Sequence, residues 1–177
     1  MTEGGPSKAT LRTALLAARR ARPTAQLAAD RAAIAALVAA RRRRLGWAIS
    51  AGYEPLRTEP GSVELLRALA PVRVPILLAD RDLSWRVWPS GTDLGAGAIA
   101  DVDLVVVPAL AVDRFGTRLG RGGGSYDRAL ARVRPGTPVV AVLFDSEFVP
   151  DPLPREPWDV PVTAVVTPSG WRSLDAE

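Results

Sequence analysis

The residues best suited to chemistry lie in one stretch, Arg118 to Arg128, which reads R-L-G-R-G-G-G-S-Y-D-R. Four glycines fall within five positions, with arginines and an aspartate beside them. Glycine lets a backbone approach a ligand closely, and successive N–H groups in such a loop attract anions. Because the stretch follows a strand-like run and opens a helix-like one, we expect it to hold a phosphate. A flexible surface turn is the alternative on spacing alone, and the flanking charges disfavour it.

Neither of the two common nucleotide-binding signatures fits this loop. No Gly-Lys-Ser/Thr follows the glycines, and the dinucleotide pattern G-x-G-x-x-G cannot be placed on them. The loop therefore predicts an anion site whose ligand the motif alone does not name.

The composition excludes several kinds of catalysis. The 177 residues include neither histidine nor cysteine, which removes Ser-His-Asp and Cys-His catalysis and ordinary zinc sites. Acid–base work would fall to Asp, Glu, Lys or Tyr, and a metal site would be built from oxygen ligands, which suits magnesium. With no disulfide, no signal-peptide segment and no apolar run near the roughly 18 residues of a membrane span, we expect a cytoplasmic protein.

The charge raises nucleic acid as a possible partner. The net charge is +4 and the isoelectric point about 10.5. A predicted helix ends at Arg41–Arg44. We favour the interpretation that these arginines stay solvated and complement the helix dipole over a nucleic-acid patch.

Of the 23 lysines and arginines, Lys8 is the only lysine. A site that needs a compact ammonium would resist arginine, although a chance terminal lysine is the alternative.

Helical and strand-like segments alternate along the chain. We predict helices over residues 7–21, with Ser7 as the N-cap, and over 24–42, 63–70 and 126–133. The predicted buried strands are Leu45–Ala51, Val72–Ala79, Val102–Val107, Pro138–Phe144 and Val162–Val166, with Ser84–Trp88 as an edge strand. This alternation favours an α/β domain with a mostly parallel sheet, whose ligands bind beyond the carboxyl ends of strands.

Four ordered blocks resemble the 5-formyltetrahydrofolate cyclo-ligases, also called 5,10-methenyltetrahydrofolate synthetases. They are Lys8–Arg12, Tyr53–Gly61, Asp103–Arg128 and Glu156–Asp159, and the third is highly specific. The resemblance covers nearly the whole chain and implies one domain over residues 1–177 with a three-layer α/β/α fold. It also implies an ATP- and Mg2+-dependent ring closure. In that reaction the formyl oxygen of 5-formyltetrahydrofolate is phosphorylated, N10 attacks the activated carbon, and 5,10-methenyltetrahydrofolate, ADP and phosphate are released.

The resemblance implies a role for each matching residue. Lys8, Arg121 and Tyr126 would be catalytic, and Asp127 and Asp159 would hold magnesium. The residues expected around ATP are Lys8, Arg12, Arg118, Leu119, Gly120, Arg121, Gly122, Gly123, Gly124, Ser125 and Tyr126. The residues expected around the folate are Glu54, Glu59, Arg121, Gly122, Gly123, Gly124 and Ser125. For Glu59 and Asp127 the alternative is an acid at a helix N-terminus, and Trp158 would either stack on a ring or be a rim or core tryptophan.

The chain departs from the family pattern at three places. Ser125 stands where the family usually has tyrosine, and Trp158 replaces a frequent histidine. The segment between Trp88 and Ala100 lacks a Gly-x-x-Glu-Pro stretch that lies near the folate site in many members.

From the resemblance as a whole we predict a monomeric cyclo-ligase that binds a small-molecule folate and neither nucleic acid nor a membrane. A nucleotide- or folate-binding protein without turnover is the first alternative, and nucleic-acid binding through the arginine-rich helices is the last.

Overall fold

The computed structural model describes residues 7–174 and contains four α-helices and ten strands in that range. The helices are α1 (Lys8–Ala21), α2 (Thr24–Leu45), α3 (Val63–Leu69) and α4 (Ser125–Leu130). The strands are β1 (Ser50–Ala51), β2 (Val72–Leu77), β3 (Leu83–Val87), β4 (Leu104–Pro108), β5 (Ala111–Asp113), β6 (Arg118–Leu119), β7 (Val139–Val142), β8 (Phe148–Val149), β9 (Ala164–Thr167) and β10 (Gly170–Ser173). Two 3-10 helices cover Ala96–Asp101 and Asp145–Glu147.

The two long helices begin and end at residues with clear chemical reasons. The Ser7 side chain accepts a hydrogen bond from the Thr10 amide at 3.2 Å, which confirms Ser7 as the N-cap of α1. Helix α2 runs past the predicted end and stops at Gly46, whose φ of 68° gives the left-handed C-cap that glycine adopts at low cost. The predicted strand Leu45–Ala51 was therefore wrong over most of its length, because Leu45 belongs to α2 and only Ser50–Ala51 pairs in the sheet.

Seven strands form one sheet in the order β10-β9-β7-β4-β1-β2-β3. The five inner strands pair in parallel, and β3 and β10 lie antiparallel at the two edges. The prediction of a mostly parallel sheet is confirmed, as is the edge position of the segment around Ser84–Trp88. The antiparallel strand β10 was not predicted.

Side chains alternate between the two faces of the central strands. On β4, Leu104 and Val106 pack with the apolar residues of α2 and α3, while Val105 and Val107 pack with Ile99 and the α4 residues on the other face. Both faces are covered, which explains why these strands read as continuous apolar runs. The arrangement is the predicted three-layer α/β/α fold.

A smaller sheet carries the glycine-rich stretch. Its strand order is β6-β5-β8, and its buried residues pack against the leucines of α1. Strand β6 ends at Leu119 and α4 begins at Ser125, so the glycines form the connection between them. Among residues 7–174, no helix combines the length and the apolar character needed to cross a membrane.

Candidate active site

A cavity of about 540 Å3 opens beyond the carboxyl ends of β2 and β4. Leu77 ends β2 and Pro108 ends β4, and both lie in its wall. Helix α1, the glycine-rich loop and the segment around Trp158 form much of the remaining wall. The cavity therefore lies where parallel sheets bind ligands.

The cavity brings together every predicted site residue except Glu54. Its wall includes Lys8, Arg12, Glu59, Arg118, Leu119, Gly120, Arg121, Gly122, Gly123, Gly124, Ser125, Tyr126, Asp127 and Asp159. Glu54 lies outside this lining and pairs with Arg86 at 2.8 Å, with half of its side chain exposed.

Helix α1 presents two cations to the cavity. Lys8 Nζ donates to Asp159 Oδ2 at 2.8 Å, and Arg12 Nε donates to the Gly120 carbonyl at 2.8 Å. The second bond ties α1 to the glycine-rich loop. At Gly122 the φ of +98° favours glycine, and an added Cβ would lie 3.3 Å from Arg12 Cζ, so the Arg12 side chain would have to shift slightly.

Arg118 organises the end of the loop. It is largely buried, and its Nη2 donates to Asp127 Oδ1 at 3.0 Å. The same oxygen accepts the Val160 amide at 3.3 Å, which connects Asp127 to the residue that follows Asp159. The two predicted magnesium ligands are thereby held against one segment.

Tyr126 contacts the buried apolar residues on both faces of the large sheet. The Arg118 guanidinium lies 5.7 Å from the centroid of its ring. Burial raises the pKa of the Tyr126 phenol well above its ordinary value, and the Arg118 charge only partly opposes this. Tyr126 is therefore a neutral phenol near neutral pH, suited to donate a hydrogen bond and unsuited to act as a base.

Glu59 is buried against the loop. Its Oε1 pairs with Arg121 at 3.2 Å, and its Oε2 accepts the Leu56 amide at 2.9 Å. Helix α3 begins only at Val63 and has Glu64 as its first-turn acid, so the interpretation of Glu59 as a helix N-terminal acid was wrong. Asp127, by contrast, does lie in the first turn of α4 as well as in the cavity.

The carboxylates of Asp127 and Asp159 fit a hard cation. Partial burial opposes ionisation of Asp159, but hydrogen bonds from Lys8 and the Glu156 amide hold its pKa below the usual range. Ionised oxygens are the ligands that Mg2+ prefers, with water and phosphate filling its other positions. Residues 7–174 contain no cluster of three or more acidic side chains that would hold a metal without such help.

Comparison with known proteins identifies the family. The model of the 5-formyltetrahydrofolate cyclo-ligase family matches residues 83–168. A 5-formyltetrahydrofolate cyclo-ligase of Mycolicibacterium smegmatis is 37% identical over 185 residues, which span 92% of this chain and 94% of that protein. The chain belongs to the 5-formyltetrahydrofolate cyclo-ligase family. It is thus a ligase of folate one-carbon metabolism, and the resemblance found from the four sequence blocks is confirmed.

Two solved structures of this family agree with the fold. The 5,10-methenyltetrahydrofolate synthetase of Aquifex aeolicus is 26% identical, with a TM-score of 0.72 over 94% of this chain and 92% of that one. The synthetase of Mycoplasma pneumoniae, 21% identical, superposes with a TM-score of 0.78 over 92% of this chain and 99% of that one. The cyclo-ligase fold therefore extends over nearly the whole chain.

Several residues of this cyclo-ligase that were not predicted as site residues also line the cavity, among them Arg19, Leu77 and Leu83. Leu77 and Leu83 form an apolar wall, and Arg19 contributes a buried cation. Lys8, Arg12 and Arg19 have helical spacing, so the sequence alone places Arg19 on the same side of a helix as the other two cations. Nothing in the sequence indicated the two leucines. Trp158 is 69% exposed and lies at the cavity rim, so the interpretation as a core tryptophan was wrong.

Proposed function

We propose that the protein converts 5-formyltetrahydrofolate to 5,10-methenyltetrahydrofolate with ATP and Mg2+, releasing ADP and phosphate. The observation that supports this most is the concentration of charge in the cavity. Its wall has five cations, Lys8, Arg12, Arg19, Arg118 and Arg121, against the three carboxylates of Glu59, Asp127 and Asp159. A glycine-rich loop with cations beside it suits a triphosphate.

The reaction needs charge and positioning more than acid–base groups. The formyl oxygen attacks the γ-phosphorus and ADP departs, so that the oxygen becomes part of a phosphate leaving group. N10 then attacks the formyl carbon, loses its proton, and the C–O bond to phosphate breaks. Both steps depend on holding reactants in line and on stabilising phosphate charge. The chain's lack of histidine and cysteine agrees with this chemistry.

The nucleotide is proposed to bind between α1 and the glycine-rich loop. Lys8 offers a point charge and Arg12 a planar fork, so the two can serve different phosphate oxygens. Arg118 and the backbone amides of the loop would complete the contacts. Asp127 and Asp159 would hold magnesium, which when bound supplies charge that neutralises phosphate oxygens.

The folate is proposed to occupy the side of the cavity around Glu59. The donors on the amino-pyrimidine edge of a pterin match a carboxylate acceptor, and Arg121, which now pairs with Glu59, would turn to the formyl oxygen or phosphate. The apolar surface of Leu77 and the exposed ring of Trp158 would contact the rest of the substrate. Because Glu54 lies outside the lining, we propose Glu59 as the pterin contact.

Absorbance of the methenyl product tests the proposal directly. Purified protein with 5-formyltetrahydrofolate should produce that absorbance only when both ATP and Mg2+ are present. No rise at any magnesium concentration would refute the proposal. Tight calorimetric binding of nucleotide or folate in that case would favour the alternative, a binding protein without turnover. The single domain, the monomer, the cytoplasmic location and the absence of nucleic-acid binding stay predictions.

A further inference from the structure

Arg19 makes three hydrogen bonds in the wall of the cavity. The residue is 3% exposed. Its Nε donates to Glu147 Oε1 at 2.6 Å, and its Nη2 donates to Glu147 Oε2 at 2.8 Å and to the Ala109 carbonyl at 2.5 Å. A planar guanidinium held by a bidentate carboxylate at Nε and Nη2 and by a backbone carbonyl at Nη2 has little freedom to move.

The acceptors of these bonds lie beyond the carboxyl ends of two central strands of the large sheet. Ala109 follows β4 directly, and Glu147 ends the 3-10 helix that follows β7. Glu147 is itself fixed, since its Oε2 also accepts the Phe144 amide at 3.0 Å. Strands β4 and β7 are neighbours in the centre of the sheet. Arg19 therefore fastens α1 to the carboxyl ends of two central strands.

The same helix carries the two proposed phosphate-binding cations. Arg19 follows Arg12 by 7 residues and Lys8 by 11. At about 100° per residue, the three side chains leave α1 within about 40° of one another. Besides Arg19, α1 is held by the Lys8–Asp159 and Arg12–Gly120 hydrogen bonds, which lie in the cavity itself. The packing of Leu11, Leu15 and Leu16 against the small sheet adds apolar contact. Apolar contact is non-directional, so it resists sliding and rotation less than hydrogen bonds do.

We propose that Arg19 is a positioning residue, which through Glu147 and Ala109 sets the tilt and rotation of α1 and so places Lys8 and Arg12. Lys8 is about 16 Å from Arg19 along the axis, so a tilt of about 10° would move it by about 3 Å. Such a movement is as large as the Lys8–Asp159 hydrogen bond itself, which measures 2.8 Å. The consequence for catalysis rests on the proposed function, in which Lys8 and Arg12 meet ATP.

The test uses Lys8 as its own reporter. Because Lys8 is the only lysine, protein labelled with 15N-lysine gives a single side-chain Nζ resonance. Glu147→Gln removes the charged acceptor of Arg19 while leaving Lys8, Arg12 and Arg19 in place. We expect this change to shift or broaden the Lys8 resonance without ligand, and to weaken calorimetric ATP binding about tenfold, as for one lost charge-assisted hydrogen bond.

The control is Asp103→Asn, which removes a carboxylate acceptor at the opposite end of the sheet. Asp103 Oδ2 accepts the amides of Ala48 and Ile49 at 2.8 and 3.0 Å. The Asp103→Asn variant should have a lower melting temperature than the wild type, with the Lys8 resonance and ATP binding unchanged. If Glu147→Gln does not fold, the double variant R19M/E147L keeps the volume of the pair and removes its hydrogen bonds. The same two readouts then apply.

The outcomes separate this proposal from the proposed function. An unchanged Lys8 resonance in the folded variant overturns the positioning role, whatever its effect on activity. If Arg19→Lys weakens ATP binding while Glu147→Gln leaves the resonance unchanged, Arg19 contacts the ligand itself and the proposal is wrong. If the wild-type protein binds no ATP, the proposed function fails, and a shifted Lys8 resonance in Glu147→Gln still supports the positioning role.

Discussion

Replacing Lys8 by arginine asks whether the nucleotide site needs an ammonium or only a positive charge. The Lys8 and Asp159 side chains are 22% and 14% exposed, and their charged atoms are 2.8 Å apart. The same Asp159 oxygen accepts the Glu156 amide at 2.8 Å, so the carboxylate has little room to adjust. A guanidinium is larger and planar, and it cannot reproduce the three donors of a compact ammonium in this space.

The expected change in the KM for ATP follows from the loss of one hydrogen bond of the Lys8 ammonium. A hydrogen bond to a charged group contributes about 1.5–3 kcal/mol, which corresponds to about a ten- to hundredfold change in an equilibrium constant. In Lys8→Arg we expect the KM for ATP to rise by about that factor. The KM for 5-formyltetrahydrofolate should change less than about twofold, because of the two substrates Lys8 is proposed to contact only ATP.

Initial rates of methenyl formation would be measured with each substrate varied at saturation of the other. Calorimetric ATP titration of the variant would show whether the change in KM is a change in binding. The control is Arg20→Lys, a matched exchange at an exposed position of the same helix. Equal increases in both KM values, or no increase in either, would refute the role assigned to Lys8.

Three further changes test the glycine-rich loop, the magnesium ligands and the stability of the protein at low pH. Asp127→Asn should raise the half-saturating Mg2+ concentration about tenfold, and an unchanged metal titration would contradict the ligand assignment. Gly122→Ala should lower the free energy of unfolding in urea by about 1–3 kcal/mol, whereas Gly123→Ala, whose Cβ would meet only Ser125 Oγ at 3.5 Å, should have a smaller effect. Hydrogen bonds from the Ile49 and Ala48 amides lower the pKa of Asp103, so its stabilisation is present above the unfolded pKa of about 3.9 and is lost as pH falls through the lower folded pKa. Asp103→Asn should therefore be less stable than the wild type at neutral pH and lose less stability on acidification, and parallel acid unfolding curves would argue against this.

The central strands were predictable because they are buried on both faces. Continuous apolar runs such as Leu104–Val107 carry that signal without any knowledge of pairing. The strands β5, β6, β8 and β10 have two to four residues each, too few to show a period. At Leu45 the sequence signal was ambiguous, since an apolar residue followed by Gly46 fits either a helix end or a strand start, and the left-handed conformation of Gly46 decides for the helix.

The cavity was predictable where neighbouring residues in the chain form it. The glycine-rich loop acts through a backbone conformation that its glycines favour, and Arg118 bonds Asp127 only nine residues along the chain. For side chains from distant segments, the sequence does not show whether they point into the cavity or away from it. Glu54 lies only five residues before Glu59, yet it points to Arg86 on β3 and away from the cavity. Arg19 had the correct helical spacing, but its partner Glu147 is 128 residues away.

The position of the shortest inner strand has a consequence for how the chain folds. Strand β1 lies in the centre of the sheet, where Ser50 pairs with Val72 on one side and with Leu104 on the other. Leu104 follows Ser50 by 54 residues. Strand β4 pairs on its other side with β7, which comes later still in the chain, and there Val105 pairs with Val139. Long loops must close before these contacts form, so we expect this fold to form more slowly than a helical bundle, whose contacts are local. During synthesis, the middle of the sheet remains an open edge until most of the chain has left the ribosome.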